Sequence, residues 1–558
     1  MSTRAISSDK VVINDIVTPA TIIFSLESGK VLEIVHEILH DNDPLLKLYD
    51  VKPLNYRNVS PMYILPGLVD AHVHLNEPGR TEWEGFETGT KSAISGGVTT
   101  VIDMPLNAIP PTTTIKNFNI KLDAAKGQLW CDIGFWGGLV PDNLNDLVPL
   151  ISAGVRGFKG FLIDSGVDEF PAIDHHYIDQ ALKAVEGNDT LIMFHAEMQK
   201  DEQVVGHSQD DDDHMDLASN DHHNHHHHNH HYTEFFNQEF TESQLEGLET
   251  TPVLRPVQPR FGIPSDIVHH QLDSTSLEHI TPLEAATKNQ HELEAVDPTH
   301  YSSFLASRPD SFEVDAIKTI IKAARKTPSV PLHIVHLASK DAVPILFQAQ
   351  QEGLKITAET CFHYLSFFAE EIPNCSTFYK CCPPIRTNDN RLKLWEALKN
   401  NVITSVVSDH SPCTPNLKKL AKGDFFSAWG GIASVGLGLP VLYTESLKHD
   451  DVSIIDIVRW TCYNTAKQVG LSHRKGSIRV GYDADFVVFD PSSAQTIHNE
   501  QVFFKNKLTA YDGKKLRGVV LETILRGNSV FAIDKGFSEI ALGKTLLEKR
   551  SLTSNNAN

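Results

Sequence analysis

Residues 64–75 read ILPGLVDAHVHL, an apolar run that ends in two histidines at alternate positions, His72 and His74. In an extended strand alternate side chains share a face, so both imidazoles project the same way. Seven further runs of this kind follow: GVTTVIDMP (97–105), DIGFWGGLV (132–140), GVRGFKGFL (154–162), TLIMFHAE (190–197), PLHIVHLAS (331–339), KITAETCFHY (355–364) and VITSVVSDHSP (402–412). Each closes on polar or small residues. Helix-like stretches lie between them, among them 84–95, 144–153 and 312–326, the last stopped by Pro328. Eight strands alternating with helices through right-handed crossovers predict a (β/α)8 barrel, an α/β fold whose chemistry gathers at the C-terminal strand ends.

Outward from that core the text changes. Residues 1–63 and 471–558 carry short β-type runs with Gly and Asp turns, such as KVVINDIV, TIIFSLESGKVLEIV and ADFVVFDP. Neither end is long enough for a large core, so the two are expected to combine into one small β-sandwich beside a barrel spanning 64–470. From about 200 to 290 the barrel text is interrupted by Asp210 to Asp213, the tract HHNHHHHNHH (222–231) and Pro-, Gln- and Glu-rich sequence. Such composition buries too little apolar area to offset its ordering entropy, and the stretch is read as a disordered insertion.

Composition narrows the partners. The chain has 558 residues, 41% hydrophobic and 22% charged, as in ordinary globular proteins. Lys+Arg 49 against Asp+Glu 71 leaves a formal net charge of −22, which repels phosphate backbones and anionic headgroups; nucleic acid and membrane are not expected partners. No apolar run approaches the ~18 residues of a membrane span, and the N-terminus lacks a signal-peptide core. Seven cysteines with no C-x-x-C pair point to a reducing compartment, and the cytoplasm is the expected location.

The polar residues at the strand ends form a constellation. His72 and His74 close the first run, His195 the fifth, His336 the sixth and Asp409 the eighth, so four imidazoles and a carboxylate are expected at one rim. Those donors suit divalent ions such as zinc. Lys159, in GFKGF on the fourth run, would repel such ions as an ammonium. Three readings stand for it: a salt bridge to an acid such as Asp103, a Schiff-base lysine, or a carbamate formed with carbon dioxide that bridges two metals. The neighbouring histidines and aspartate favour the bridge.

Taken in order, GLVDAHVHLNEPGRTEWEGFETGT, GGVTTVIDMPLNAIPPTT, GFKGF, FHAE, HIVHLAS, CCPPIRTNDNR, VVSDHSPC, AWGGI and GYDADFVVFDP resemble the allantoinases, in the cyclic-amide branch of the amidohydrolase superfamily. The resemblance runs from about residue 60 to 535 apart from the insertion. It implies a metal-dependent barrel with a β-sandwich built from both chain ends. It also implies one metal ion on His72, His74 and Asp409, a second on His195 and His336, and carboxylated Lys159 bridging both. The implied reaction is opening of the hydantoin ring of (S)-allantoin to allantoate by a metal-activated hydroxide, with Asp409 as proton acceptor and donor. The implied cofactors are two divalent ions, zinc foremost, plus carbon dioxide for the lysine; the implied assembly is a homotetramer.

Substrate choice within the branch turns on Asn76. Dihydroorotases usually read HLREPG where this chain reads HLNEPG, so a substrate carboxylate would lack its arginine. Asn107, Cys382, where a serine is more usual, and Ser411 are the other expected substrate contacts. Alternatives are a dihydropyrimidinase or hydantoinase, a dihydroorotase, or a scaffold that has lost its metals, which the retained six positions oppose. His363 is read as structural, Glu77, Glu82, Glu84 and Glu87 as capping or solvated-face residues, and Cys381, Cys382 and Cys413 as non-nucleophilic.

Overall fold

The computed structural model of the chain describes residues 2–200 and 296–551. The expected insertion lies almost wholly outside the described residues. Eight parallel strands form the barrel: β1 (Leu68–Val73), β2 (Val98–Asp103), β3 (Asp132–Phe135), β4 (Phe158–Phe161), β5 (Ile192–His195), β6 (Leu332–Ile334), β7 (Ile356–Cys361) and β8 (Ser405–Val407). β1 to β3 pair in one ladder; β4 to β8 pair in a second, which the short strand Gly137–Gly138 extends past β4. Backbone bonds close both seams: Arg156 N–H donates to Phe135 O at 2.8 Å, and His74 N–H donates to His410 O at 2.8 Å. The strands are buried on both faces, as a barrel wrapped by helices requires. The helices include Phe86–Ser95, His175–Val185 and Asp310–Lys326.

The run at 64–75 divides in two. Tyr63–Pro66 is not a barrel strand but pairs antiparallel with Phe486–Phe489, Val487 lying opposite Leu65. Gly67 makes the junction possible, because a Cβ there would meet Thr99 Oγ1 at 2.1 Å. Through Tyr63–Pro66 the two chain ends become one nine-stranded sheet, with Thr3–Ile13, Ile16–Ser25 and Val31–Val35 on one side and Phe486–Thr496, Lys515–Leu525 and Asn528–Ala532 on the other. Asn14 and Asp15, with φ of 48° and 61°, make the tight turn of its first hairpin. Ile6, Ile22 and Phe24 from the N-terminal segment pack with Phe486, Val488 and Ile524 from the C-terminal one in a core of their own, the rings of Phe24 and Phe486 being 5.4 Å apart. No helix among the described residues is long and apolar enough to cross a membrane.

Candidate metal centre and active site

Every residue of the predicted constellation lies on a barrel strand or just past its C-terminal end. His72 and His74 straddle the end of β1, and His195 is the last residue of β5. Lys159 sits inside β4, opposite Met193 of β5. His336 and Asp409 follow β6 and β8 by two residues, both with positive φ, 38° and 44°, a conformation that a non-glycine residue holds only where its surroundings impose it.

The side chains converge. His72 Nε2 is 2.9 Å and His74 Nε2 3.4 Å from Asp409 Oδ1, and Lys159 Nζ is 3.3 Å from His72 Nε2. The ring centres of His195 and His336 are 4.5 Å apart, and those of His72 and His336 5.5 Å. Donor atoms of His72, His74 and Asp409 lie within 4.8 Å of one another, close enough to hold one ion. Among the described residues, His74 Nδ1 and His336 Nδ1 are buried without a hydrogen-bond partner. An unmet buried polar atom costs about 1–3 kcal/mol, so this arrangement fits a bound divalent cation.

Burial and neighbouring charge compete in setting the protonation of these groups. At His72, Asp409 and Glu359 outweigh burial and keep the imidazole above the ordinary histidine value, whereas burial prevails at the other three. Burial holds the His74 imidazole down to about 4 against the pull of Asp409, and holds His195 and His336 below the ordinary histidine value. Neutral imidazoles are what a metal needs. Burial would raise Asp409, but His72, His74 and His336 outweigh it and keep the carboxyl ionised, well below its usual range. Burial brings the Lys159 ammonium down to about 8, only partly opposed by Asp409 and Glu359. Lys159 makes no ion pair among the described residues, and Asp103, its expected salt-bridge partner, is taken by Lys121 at 2.6 Å. The salt-bridge reading of Lys159 is therefore overturned.

Two acids that the sequence reading did not assign orient members of this ring, and a third, Glu84, orients the neighbouring His410. Glu359, on β7, accepts from His72 Nδ1 at 2.8 Å, His333 Nε2 at 2.9 Å and Gln468 Nε2 at 3.1 Å. Burial would raise Glu359, but His72 and His333 prevail and bring it to about 2. Glu197 accepts from His195 Nε2 at 2.7 Å, which turns Nδ1 of that ring away from the carboxylate. Glu84, read from sequence as a capping or solvated-face residue, is fully buried 2.7 Å from His410 Nε2. His410 Nδ1 accepts from the backbone N–H groups of Ser434 and Val435, so its proton sits on Nε2 and goes to Glu84.

The comparisons with known proteins follow this geometry. The model of the Amidohydrolase family matches residues 63–530. An allantoinase of Saccharomyces cerevisiae is 50% identical over 99% of this chain and 100% of its own length. A probable allantoinase 2 of Dictyostelium discoideum is 36% identical over 99% of this chain and 93% of its own. The chain belongs to the allantoinase family of amidohydrolases. Among solved structures, an L-hydantoinase (dihydropyrimidinase) from Arthrobacter aurescens superposes with a TM-score of 0.76 at 23% identity, covering 98% of this chain and all of its own, and shares the fold. Family membership and the convergent donors make the protein a metal-dependent hydrolase of the cyclic-amide type.

Asn76 is 1% exposed, adopts φ +62° and has no hydrogen-bond partner for either amide atom among the described residues. Asn107 adopts φ +70°, and its carbonyl accepts from Arg80 Nη1 at 2.8 Å. Cys382 and Ser411 are half-buried; Ser411 N–H donates to Ile432 O at 3.1 Å. Cys381, Cys382 and Cys413 have thiols pushed up by burial, which opposes a thiolate nucleophile. His363 is buried with both ring nitrogens unpaired, and burial lowers it to about 4. Glu77 accepts from Phe86 N–H at 2.8 Å at a helix start, and Glu87 pairs with Lys91 on the surface.

Proposed function

We propose that the protein hydrolyses the five-membered ring of (S)-allantoin to allantoate in purine breakdown. The observation that carries the reading is a ring of four buried imidazoles, one ionised carboxylate and one lysine with no ion-pair partner among the described residues, in a chain half identical to a yeast allantoinase. His72, His74 and Asp409 would hold one divalent ion and His195 and His336 the other, with Lys159 as a carbamate between them. Such ions, zinc foremost, activate water and polarise the scissile carbonyl when bound.

The chain's own groups account for the proton. Asp409 is the one ionised carboxylate that touches two of the ring's imidazoles, so its oxygen is placed to take a proton from the attacking water and return it to the departing amide nitrogen. The low value of Lys159 supports capture of carbon dioxide, because only the neutral amine attacks it; near pH 8 about half of the side chains are in that form. Asn76, whose amide has no partner among the described residues, Asn107, Cys382 and Ser411 are assigned to the substrate ring. An asparagine in place of arginine favours a neutral ureido-hydantoin over a carboxylate substrate. The cytoplasm and a homotetramer complete the proposal.

Allantoin, dihydroorotate, hydantoin and dihydrouracil assayed side by side test it. Allantoin is expected to be turned over at least about 100-fold faster, as kcat/KM, than dihydroorotate, the scale of discrimination that a missing charged partner imposes. Comparable rates for both, or turnover of dihydrouracil alone, reject the substrate assignment.

A further inference from the structure

The two halves of the proposed metal centre are anchored by different chemistry. Beneath His195 the anchor is a permanent cation: Arg308 donates from Nε to Glu197 Oε1 at 3.1 Å and from Nη2 to Glu197 Oε2, while Glu197 Oε2 holds His195 Nε2 at 2.7 Å. Arg308 is fixed in turn, because its carbonyl accepts from Arg386 Nη1 at 3.1 Å. Arg386 pairs with Glu313 through Nε at 3.2 Å and Nη2 at 2.9 Å. Glu313 Oε1 then accepts from Ala338 N–H at 2.9 Å, two residues beyond His336. Two arginine–glutamate pairs, one fully buried and one with Arg308 partly exposed, thus run from His195 to the strained turn that carries His336.

We propose that Arg308 is a positioning residue that holds His195 through Glu197, while Arg386, bonded to the Arg308 main-chain carbonyl, holds the turn of His336 through Glu313, so that the second divalent ion finds both imidazoles in place. Resting as it does on the two-ion reading above, the proposal adds that the two sub-sites can be weakened separately. A guanidinium is required, because its fork bonds both oxygens of Glu197; an ammonium is a point charge that holds one. His72, by contrast, hangs on Glu359, which also accepts from His333, Gln468 and, at 3.4 Å, the His336 backbone N–H, and which makes no contact with Arg308 among the described residues.

The experiment strips the full-length protein with a chelator and titrates zinc or cobalt back by equilibrium dialysis, comparing wild type with Arg308→Gln and Arg308→Lys. Wild type is expected to take two ions. Arg308→Gln should take the first with unchanged affinity and the second about 10- to 100-fold more weakly, with an altered cobalt visible spectrum, and Arg308→Lys should fall between. If Arg308→Gln does not fold, Glu313→Gln, one pair removed from the ligands, should show the same selective loss in smaller measure. Wild-type affinity for the second ion in either folded glutamine variant overturns the relay, as does equal loss of both ions. A wild-type protein that binds no more than one ion overturns the two-ion reading and the relay with it.

Discussion

Two of the buried lysines in this barrel, Lys475 and Lys159, have opposite surroundings. Lys475 lies 2.6 Å from Asp132, at the start of β3, and 2.8 Å from both Asp483 and Asp485; Arg526 joins Asp132, and Arg474 joins Asp483 at 2.7 Å. The three aspartates also satisfy the spacing of an ion site, yet the space between them is already filled by the Lys475 ammonium. Burial alone would lower that ammonium; the aspartates outweigh it and hold it charged. Lys159, at the other end of the barrel strands, has imidazoles and an aromatic ring for neighbours, and it is lowered. A buried lysine matched by carboxylates staples the barrel to the terminal sheet; a buried lysine without them is open to chemistry.

Exchanging the two lysines for neutral residues should separate these roles. Lys159→Ala is expected to lose its bound ions and about 10³-fold or more of its activity together, with partial return on adding short carboxylic acids that replace the carbamate. Its thermal unfolding should differ little from that of chelator-treated wild type. Lys475→Met should do the reverse: about 3–5 kcal/mol of stability lost, because three buried aspartates lose their central cation, with metal content per folded molecule unchanged. Calorimetry and elemental analysis on both variants read the difference. A metal-loaded, active Lys159→Ala would contradict the bridge, and an unshifted Lys475→Met would show that the staple is not one.

Acid should break the two clusters in sequence. In the metal-free protein His74 is held at about 4, whereas an unfolded chain protonates its histidine near 6.5. The unfolded state therefore binds more protons below pH 6.5, so stability is full above that value and is lost as pH falls towards 4, with His74 alone contributing about 3 kcal/mol. In the other cluster Lys475 and Arg474 overcome burial and depress Asp483, so its contribution is complete above the ordinary aspartate value and declines only at lower pH. Urea midpoints of chelator-treated protein from pH 8 to 3 should fall first between 6.5 and 4. A flat profile across that window would mean that the imidazoles are not held neutral.

The legible part of this molecule was the part written in local pattern. Apolar runs closing on His72, His74, His195, His336 and Asp409 announce strands and a common rim, because strand direction fixes which end is which. The division of 64–75 at Gly67 was not legible: ILPGLV reads as one run, and only the pairing of Leu65 with Val487, over 400 residues away, draws its first half into the terminal sheet. Glu84 looked exposed because nothing nearby marks it, its partner His410 being 326 residues on. Glu197 and Glu359 did carry a signal, an acid at the closing end of one apolar run and within another, FHAE and ITAETC. A carboxylate buried in a strand needs a partner, and where histidines are present it is their natural anchor.

The smallest expected effect concerns the interruption of the barrel. Residues 203–290 lie outside the described ones, but the chain on either side of them is tied to the barrel independently. Met198 N–H donates to Phe312 O at 3.0 Å, Glu197 is clamped by Arg308, and Phe425 N–H donates to Pro298 O at 2.8 Å. Loop-closure entropy changes slowly with length, so replacing 203–290 by a short flexible linker alters stability by no more than about 1–2 kcal/mol. With both roots held by the surrounding barrel, kcat/KM for the cyclic amide should stay within about twofold, since no group assigned to the reaction lies in the deleted stretch. A collapse of folding, or a large loss of activity in a folded, metal-loaded deletion, would show that the His- and Asp-rich stretch contributes to the rim. An unchanged enzyme would fit a clamp at Glu197 and Arg308 that holds His195, the proposed metal ligand, only about five residues from so foreign a sequence.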